Sequence, residues 1–167
     1  FNSAVGFKSL RFNVVGSNNT AFGSYALHYN TTNNNSAFGY KALFANTTGL
    51  NNNAFGKDAL SSNTVGNYNN AFGFYTLRSN VSGNNNSAFG YRALNSNTIG
   101  SSNSAFGYQA LYSNTSGVAN IAIGQQSQLL NTIGSANTSI GFQSLYTNNS
   151  GYNNTAIGYG SLFTNSS

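Results

Sequence analysis

The sequence predicts an all-β fold, a parallel β-solenoid or β-roll with one coil of about 17 residues per repeat and about ten coils. Three observations carry that reading: an unbroken period, fixed residue types within it, and little that favours helix. Ten glycines mark the period, namely Gly6, Gly23, Gly39, Gly56, Gly73, Gly90, Gly107, Gly124, Gly141 and Gly158. Eight of the nine intervals between them are 17 residues, and the one from Gly23 to Gly39 is 16. Helical-pair repeats need more than about 30 residues and propeller blades about 40, so both are too long. Gly and Asn, which recur throughout the unit, are poor helix formers. Short strands turned by Gly and Asn fit, with coils stacked about 4.8 Å apart into a rod roughly 45–50 Å long. Hairpins are disfavoured, because no Asn-Gly or Asp-Gly pair occurs.

Each column of the repeat then acquires a role. Immediately before the marker glycine stands an apolar residue: Val5, Phe22, Phe38, Phe55, Phe72, Phe89, Phe106, Ile123, Ile140 and Ile157. Four after it stands Leu (Leu10, Leu27, Leu43, Leu60, Leu77, Leu94, Leu111, Leu145, Leu162), replaced once by Gln128. A single coil cannot bury these side chains alone, so both columns are expected to stack as continuous apolar spines of the core. Four before the marker is Asn without exception: Asn2, Asn19, Asn35, Asn52, Asn69, Asn86, Asn103, Asn120, Asn137 and Asn154. Seven after it is Asn again: Asn13, Asn30, Asn46, Asn63, Asn80, Asn97, Asn114, Asn131, Asn148 and Asn165. Two Asn ladders are expected, each amide bonding its equivalents above and below; turn formation alone is the alternative. A second Gly recurs ten after the marker and is missing only from the short repeat, where Asn33 stands.

Two before the marker is Ala in every repeat except at Ser139. If the chain is extended from three before the marker to two after it, the Phe column and the mostly aromatic next column (Phe7, Tyr40, Phe74, Tyr91, Tyr108) share a face. Ala and the marker Gly would then line the opposite, outward face. Such a stripe admits a neighbouring backbone, although tight packing within one coil would use it equally well.

Composition departs from globular norms, with 4% charged residues, no Pro, Cys, Met or Trp, and 32 Asn in 167 residues. The apolar columns and 14% aromatic content separate the chain from disordered sequences. Net charge is +5, from Lys8, Arg11, Lys41, Lys57, Arg78 and Arg92 against Asp58. These residues occupy different columns and stop at Arg92, so they read as solubilising charges rather than a nucleic-acid patch. No apolar run is long enough to cross a bilayer as a helix. The array runs through residues 1–167 as one unit without an atypical terminal repeat, as expected of a segment of a longer fibre.

Chemistry is sparse. One His (His28) and one acid (Asp58) lie two repeats apart and supply no carboxylate pair, no triad and no metal set, so no enzyme, cofactor or metal is expected. His28 falls in a variable column and reads as an exposed residue. Asn-x-Ser/Thr triplets at Asn18, Asn34, Asn46, Asn85, Asn114 and Asn153 arise readily from this composition. Thr recurs eight after the marker (Thr31, Thr47, Thr64, Thr98, Thr115, Thr132), which in principle gives an ice-binding hydroxyl face, interrupted by Val14, Val81 and Asn149.

The segments 104–117 (SAFGYQALYSNTSG) and 154–165 (NTAIGYGSLFTN) resemble repeats of phage tail fibres and other fibrous surface proteins. They are similar, more distantly, to the head repeats of trimeric autotransporter adhesins, whose repeat is shorter. The resemblance implies a trimeric or otherwise bundled β-roll on a cell or virion surface, serving as stalk or adhesive head. The expected function is thus a structural, non-catalytic extracellular fibre, with copies of itself as partners and cell-surface glycans as ligands. Candidate contacts are Tyr25, Tyr75, Arg92, Gln109, Gln126 and Gln143, two after the marker. The alternative is a self-polymerising matrix filament, in which exposed coil edges template strand addition.

Overall fold

In a computed structural model describing residues 1–165, the chain is an all-β parallel solenoid of about nine turns, without helix among the described residues. Ten strands of three residues form one sheet in chain order. They are β1 (Ser3–Val5), β2 (Thr20–Phe22), β3 (Ser36–Phe38), β4 (Asn53–Phe55), β5 (Asn70–Phe72), β6 (Ser87–Phe89), β7 (Ser104–Phe106), β8 (Ile121–Ile123), β9 (Thr138–Ile140) and β10 (Thr155–Ile157). Every pair is in register, so Phe55 lies beside both Phe38 and Phe72. The 17-residue period is therefore one turn of the coil.

The extended run is shorter than predicted. It ends before the marker glycine, whose φ lies between 117° and 139° along the chain. Two residues later a non-glycine takes the left-handed region (Tyr25 at 62°, Lys41 at 55°), and two later still the leucine does so (Leu27 and Leu43, both at 50°). A third such corner falls five before the marker, as at Asn51 and Tyr68. Left-handed geometry costs a non-glycine about 1–2 kcal/mol, and neighbouring coils offset it. Amides at these corners bond across the stack: Tyr25 to the Phe7 carbonyl (2.8 Å), Leu27 to Ala42 (3.0 Å) and Tyr68 to Leu50 (3.0 Å). Valine, isoleucine and threonine, for which positive φ is worst, are absent from all three columns. The corner column is Leu for this reason, although Ile would be equally apolar.

The glycine marker has a second cause. A Cβ on Gly39 would lie 2.6 Å from the Gly56 carbonyl oxygen, so the coils touch backbone to backbone there.

The core differs from expectation in one respect. Leu27, Leu43, Leu60, Leu77, Leu94 and Leu111 are fully buried, as predicted. The column of Phe22, Phe38, Phe55, Phe72, Phe89, Phe106, Ile123, Ile140 and Ile157 stacks as predicted but faces outward, with Phe22 40% and Ile157 67% exposed. Ala21, Ala37, Ala54, Ala71, Ala88 and Ala105 are buried instead. Strand alternation puts the first Asn and the Ala on one face and the Phe on the other. A turn this narrow has room inside for Ala and an amide but not for stacked rings as well. Burying the Asn is favourable because every amide finds partners, as described below, and the inward Asn decides the register.

The short repeat is absorbed without a break. Thr32, rather than Asn33, takes the second-Gly position: its carbonyl accepts the side-chain amides of Asn19 (2.6 Å) and Asn30 (2.8 Å). Asn33 moves to the following column, where its Oδ1 accepts the amide of Ser17 (2.7 Å), as Asn67 accepts that of Leu50 (2.8 Å).

Candidate functional site

Two amide ladders occupy half of the interior. In the first, Asn52 Nδ2 donates to Asn35 Oδ1 (3.3 Å) while Asn52 Oδ1 accepts both the backbone amide (2.9 Å) and the Nδ2 (3.1 Å) of Asn69. The same pattern runs through Asn86, Asn103, Asn120 and Asn137 to Asn154, and Asn19 joins the ladder through the backbone amide of Asn35 (2.9 Å). In the second, Asn63 donates to Asn46 (2.8 Å), Asn80 to Asn63 (2.8 Å) and Asn97 to Asn80 (2.7 Å), in a series linking Asn13 and Asn30 to Asn114, Asn131, Asn148 and Asn165. The ladders converge, since Asn52 and Asn63 both donate to the carbonyl of Gly66, at 2.8 and 3.0 Å. A Cβ on Gly66 would lie 2.8 Å from Asn80 Nδ2, so crowding rather than φ favours glycine in the 17-residue coils, while the 16-residue coil accepts Thr32 at the equivalent place. From Asn46 to Asn148 each Asn side chain of the two ladders thus closes a cross-brace within its coil and a rung between coils.

The outward strand face carries the ring stack. Phe22, Phe38, Phe55, Phe72, Phe89 and Phe106 stack with centroids 4.6–5.2 Å apart and planes within 8° of parallel. Faces meet faces, and edges meet solvent.

A second outer face lies beyond the marker glycine, where the predicted contact residues come together. Tyr25 meets Tyr40 (6.3 Å) and Phe44 (6.2 Å) edge-on, and Phe74, Tyr91 and Tyr108 stack at 5.7 and 5.3 Å. Further along, Gln126 donates to Gln109 (3.2 Å) and Gln143 to Gln126 (2.9 Å), a third amide ladder that sequence reasoning did not foresee. Consecutive Gln at one column was its signal. Tyr75 and Arg92 lie on the same face, with the guanidinium 5.6 Å from the ring centre.

His28 departs from expectation. It is buried, stacked on Phe44 (5.3 Å) and edge-on to Tyr25 and Phe12, with Nδ1 2.8 Å from the Lys8 carbonyl oxygen. Among the described residues no three of His, Cys, Asp and Glu gather into a metal-sized group, and no helix is long and apolar enough to cross a membrane. The Thr column is turned to structural use: Thr47, Thr64 and Thr98 hydroxyls donate to carbonyls of the next coil at 3.0–3.1 Å.

The searched protein-family models, curated proteins and solved structures contain no match to this chain.

Proposed function

We propose that the chain is a non-catalytic, rod-forming segment of an extracellular fibre or adhesive stalk on a cell or virion surface, and that rods associate side by side through the stacked Phe strip. The observation that carries this reading is the outward column from Phe22 to Phe106. It is a continuous apolar strip, partly exposed over six consecutive coils, with rings stacked on one another. Contiguous exposed apolar surface of this kind marks an interaction site. A rigid strip loses little side-chain entropy on docking, and its repeat along the axis suits sister rods with the same repeat. The repeat class that the sequence resembles is consistent with a bundle of three.

Solution mass tests the association. Light scattering is expected to give a trimer or another defined oligomer, and Phe55→Ser with Phe72→Ser is expected to reduce it to monomer while the β-sheet circular dichroism signal stays. A wild-type monomer at millimolar concentration would remove the lateral contact from the proposal. Attachment of the isolated rods to cells or glycan surfaces tests the adhesive part separately.

A further inference from the structure

All six basic residues of the chain belong to one network of ring contacts. The linear pattern scatters them over three columns, one, two and five after the marker glycine, and the coil brings those columns onto a single face. Lys8 lies 5.5 Å from the centre of the Tyr25 ring, and Tyr25 touches Tyr40. Tyr40 is shared by Lys41 (5.3 Å) and Lys57 (6.0 Å). Tyr75 is shared by Lys57 (5.9 Å), Arg78 (4.7 Å) and Arg92 (5.6 Å). Arg11 joins through Phe12, which it approaches to 5.3 Å, and through His28, which links Phe12 to Tyr25. The stripe therefore runs along the rod from the first coil to the sixth. The lone acid, Asp58, lies in the same stripe beside Lys57 and leaves it strongly positive. From Tyr108 onward the equivalent positions are Gln, Tyr, Leu, Phe and Gly without charge.

We infer that this stripe is a binding face for a linear anionic polysaccharide, sulfated or uronic-acid-rich, lying along the rod axis. Three features of the face select that partner. Its cations are strung along one line over a length of roughly 25 Å, at about 4.8 Å per coil, which suits an extended polyanion better than a compact anion. The rings hold the cationic heads in place, by cation–π attraction of about 0.5–1 kcal/mol each at exposed sites, so little order is lost on binding. The rings also have their faces occupied, by one another (Phe74 on Tyr91, Tyr91 on Tyr108) or by cations. Single-stranded nucleic acid is held by bases stacking on open aromatic faces, and this stripe offers chiefly edges and tyrosine hydroxyls, which bond sugar hydroxyls and sulfates. The inference deepens the adhesive part of the proposed function by naming the ligand class.

The experiment measures binding of a heparin dodecasaccharide to the full chain in 0.15 M salt. The other probes are uncharged dextran, a twelve-nucleotide poly-dT and phosphatidylserine vesicles. Expected are binding to heparin, none to dextran, weaker binding to poly-dT and vesicles, and loss in high salt. The triple variant Lys57→Gln, Arg78→Gln, Arg92→Gln is expected to bind heparin at least roughly tenfold more weakly. The control Ile99→Ser, Ile133→Ser, at exposed positions nine after the marker glycine and outside the stripe, is expected to leave binding within about twofold. Equal heparin binding by wild type and triple variant, with unchanged circular dichroism, would overturn the inference, as would tighter binding to poly-dT or vesicles than to heparin. If the triple variant fails to fold, Arg78→Gln alone, whose side chain is exposed, decides by the same comparison. Binding to neutral glycans only would overturn the anionic ligand and leave an adhesive rod standing, and oligomer mass reports on the Phe strip independently of either result.

Discussion

Two stretches of the interior solve one packing problem with opposite chemistry. Around Leu94 the apolar half of the core is Leu against Ala93, Ala105 and Ala110, all fully buried. Around Gln128 the same positions are Gln128, Ser127, Ser139 and Ser144, equally buried. Gln128 Nε2 donates to the Ile121 carbonyl (2.9 Å) and Ser139 Oγ (3.0 Å), and Ser127 bonds to Ser139 and lies 3.2 Å from Ser144 Oγ. The backbone does not register the change: Leu94 donates to Ala110 at 3.0 Å and Gln128 to Ser144 at 3.0 Å. A layer of this solenoid thus tolerates polar atoms when neighbouring coils change with it. Four substitutions had to come together, and one acceptor, Gln128 Oε1, still lacks a partner.

The comparison breaks most sharply if half of the polar layer is moved. Leu94→Gln places an amide where Ala93, Ala105 and Ala110 supply none of the hydroxyls that surround Gln128, and chemical denaturation is expected to show a loss of about 3 kcal/mol; a loss below about 1 kcal/mol would mean that polar layers need no partners. The Asn ladder crosses both layers and tests whether they share a frame. Asn97→Ala removes bonds of 2.7 and 2.9 Å that Asn97 donates and the acceptor of Asn114, for an expected loss of about 2–3 kcal/mol. Asn131→Ala, where the rungs measure 3.3 and 3.1 Å, is expected to lose less. Equal effects would show that rung length does not report strength here. Gln128→Leu removes the orphaned acceptor while Ser139 Oγ still reaches the Ile121 carbonyl (3.3 Å), so it is expected to gain about 1 kcal/mol. The smallest effect probes the corners common to both layers. Ala119 is exposed and has φ 56°, so Ala119→Gly is expected to stabilise by about 0.5 kcal/mol. Destabilisation would argue against the left-handed corner.

Much of this was readable from the linear pattern. The turn length, the parallel register, both Asn ladders and the buried Leu column follow from invariant residues at a fixed spacing. The direction of the strand was not readable. Hydrophobicity favours Phe55 inside and Ala54 outside, whereas the cross-braces of Asn52 and Asn63 at Gly66 require the reverse. A signal of the corners was present but easily passed over: the positions of Tyr25, Leu27 and Asn34 never hold a β-branched residue, and all three columns have positive φ. The basic stripe was hidden for a simpler reason. Residues one, two and five after the marker are separate columns on paper and become one face only when the chain turns at those corners.

By itself, then, the amino-acid order determined that like would stack on like, because a 17-residue period, shortened only once, leaves nearly every side chain its own equivalent as neighbour. Which side of the wall each column faces was decided only in three dimensions. The cause is the narrowness of the coil: a buried amide must satisfy all its hydrogen bonds, and the geometry that satisfies them turns the rings outward and gathers the cations on one side.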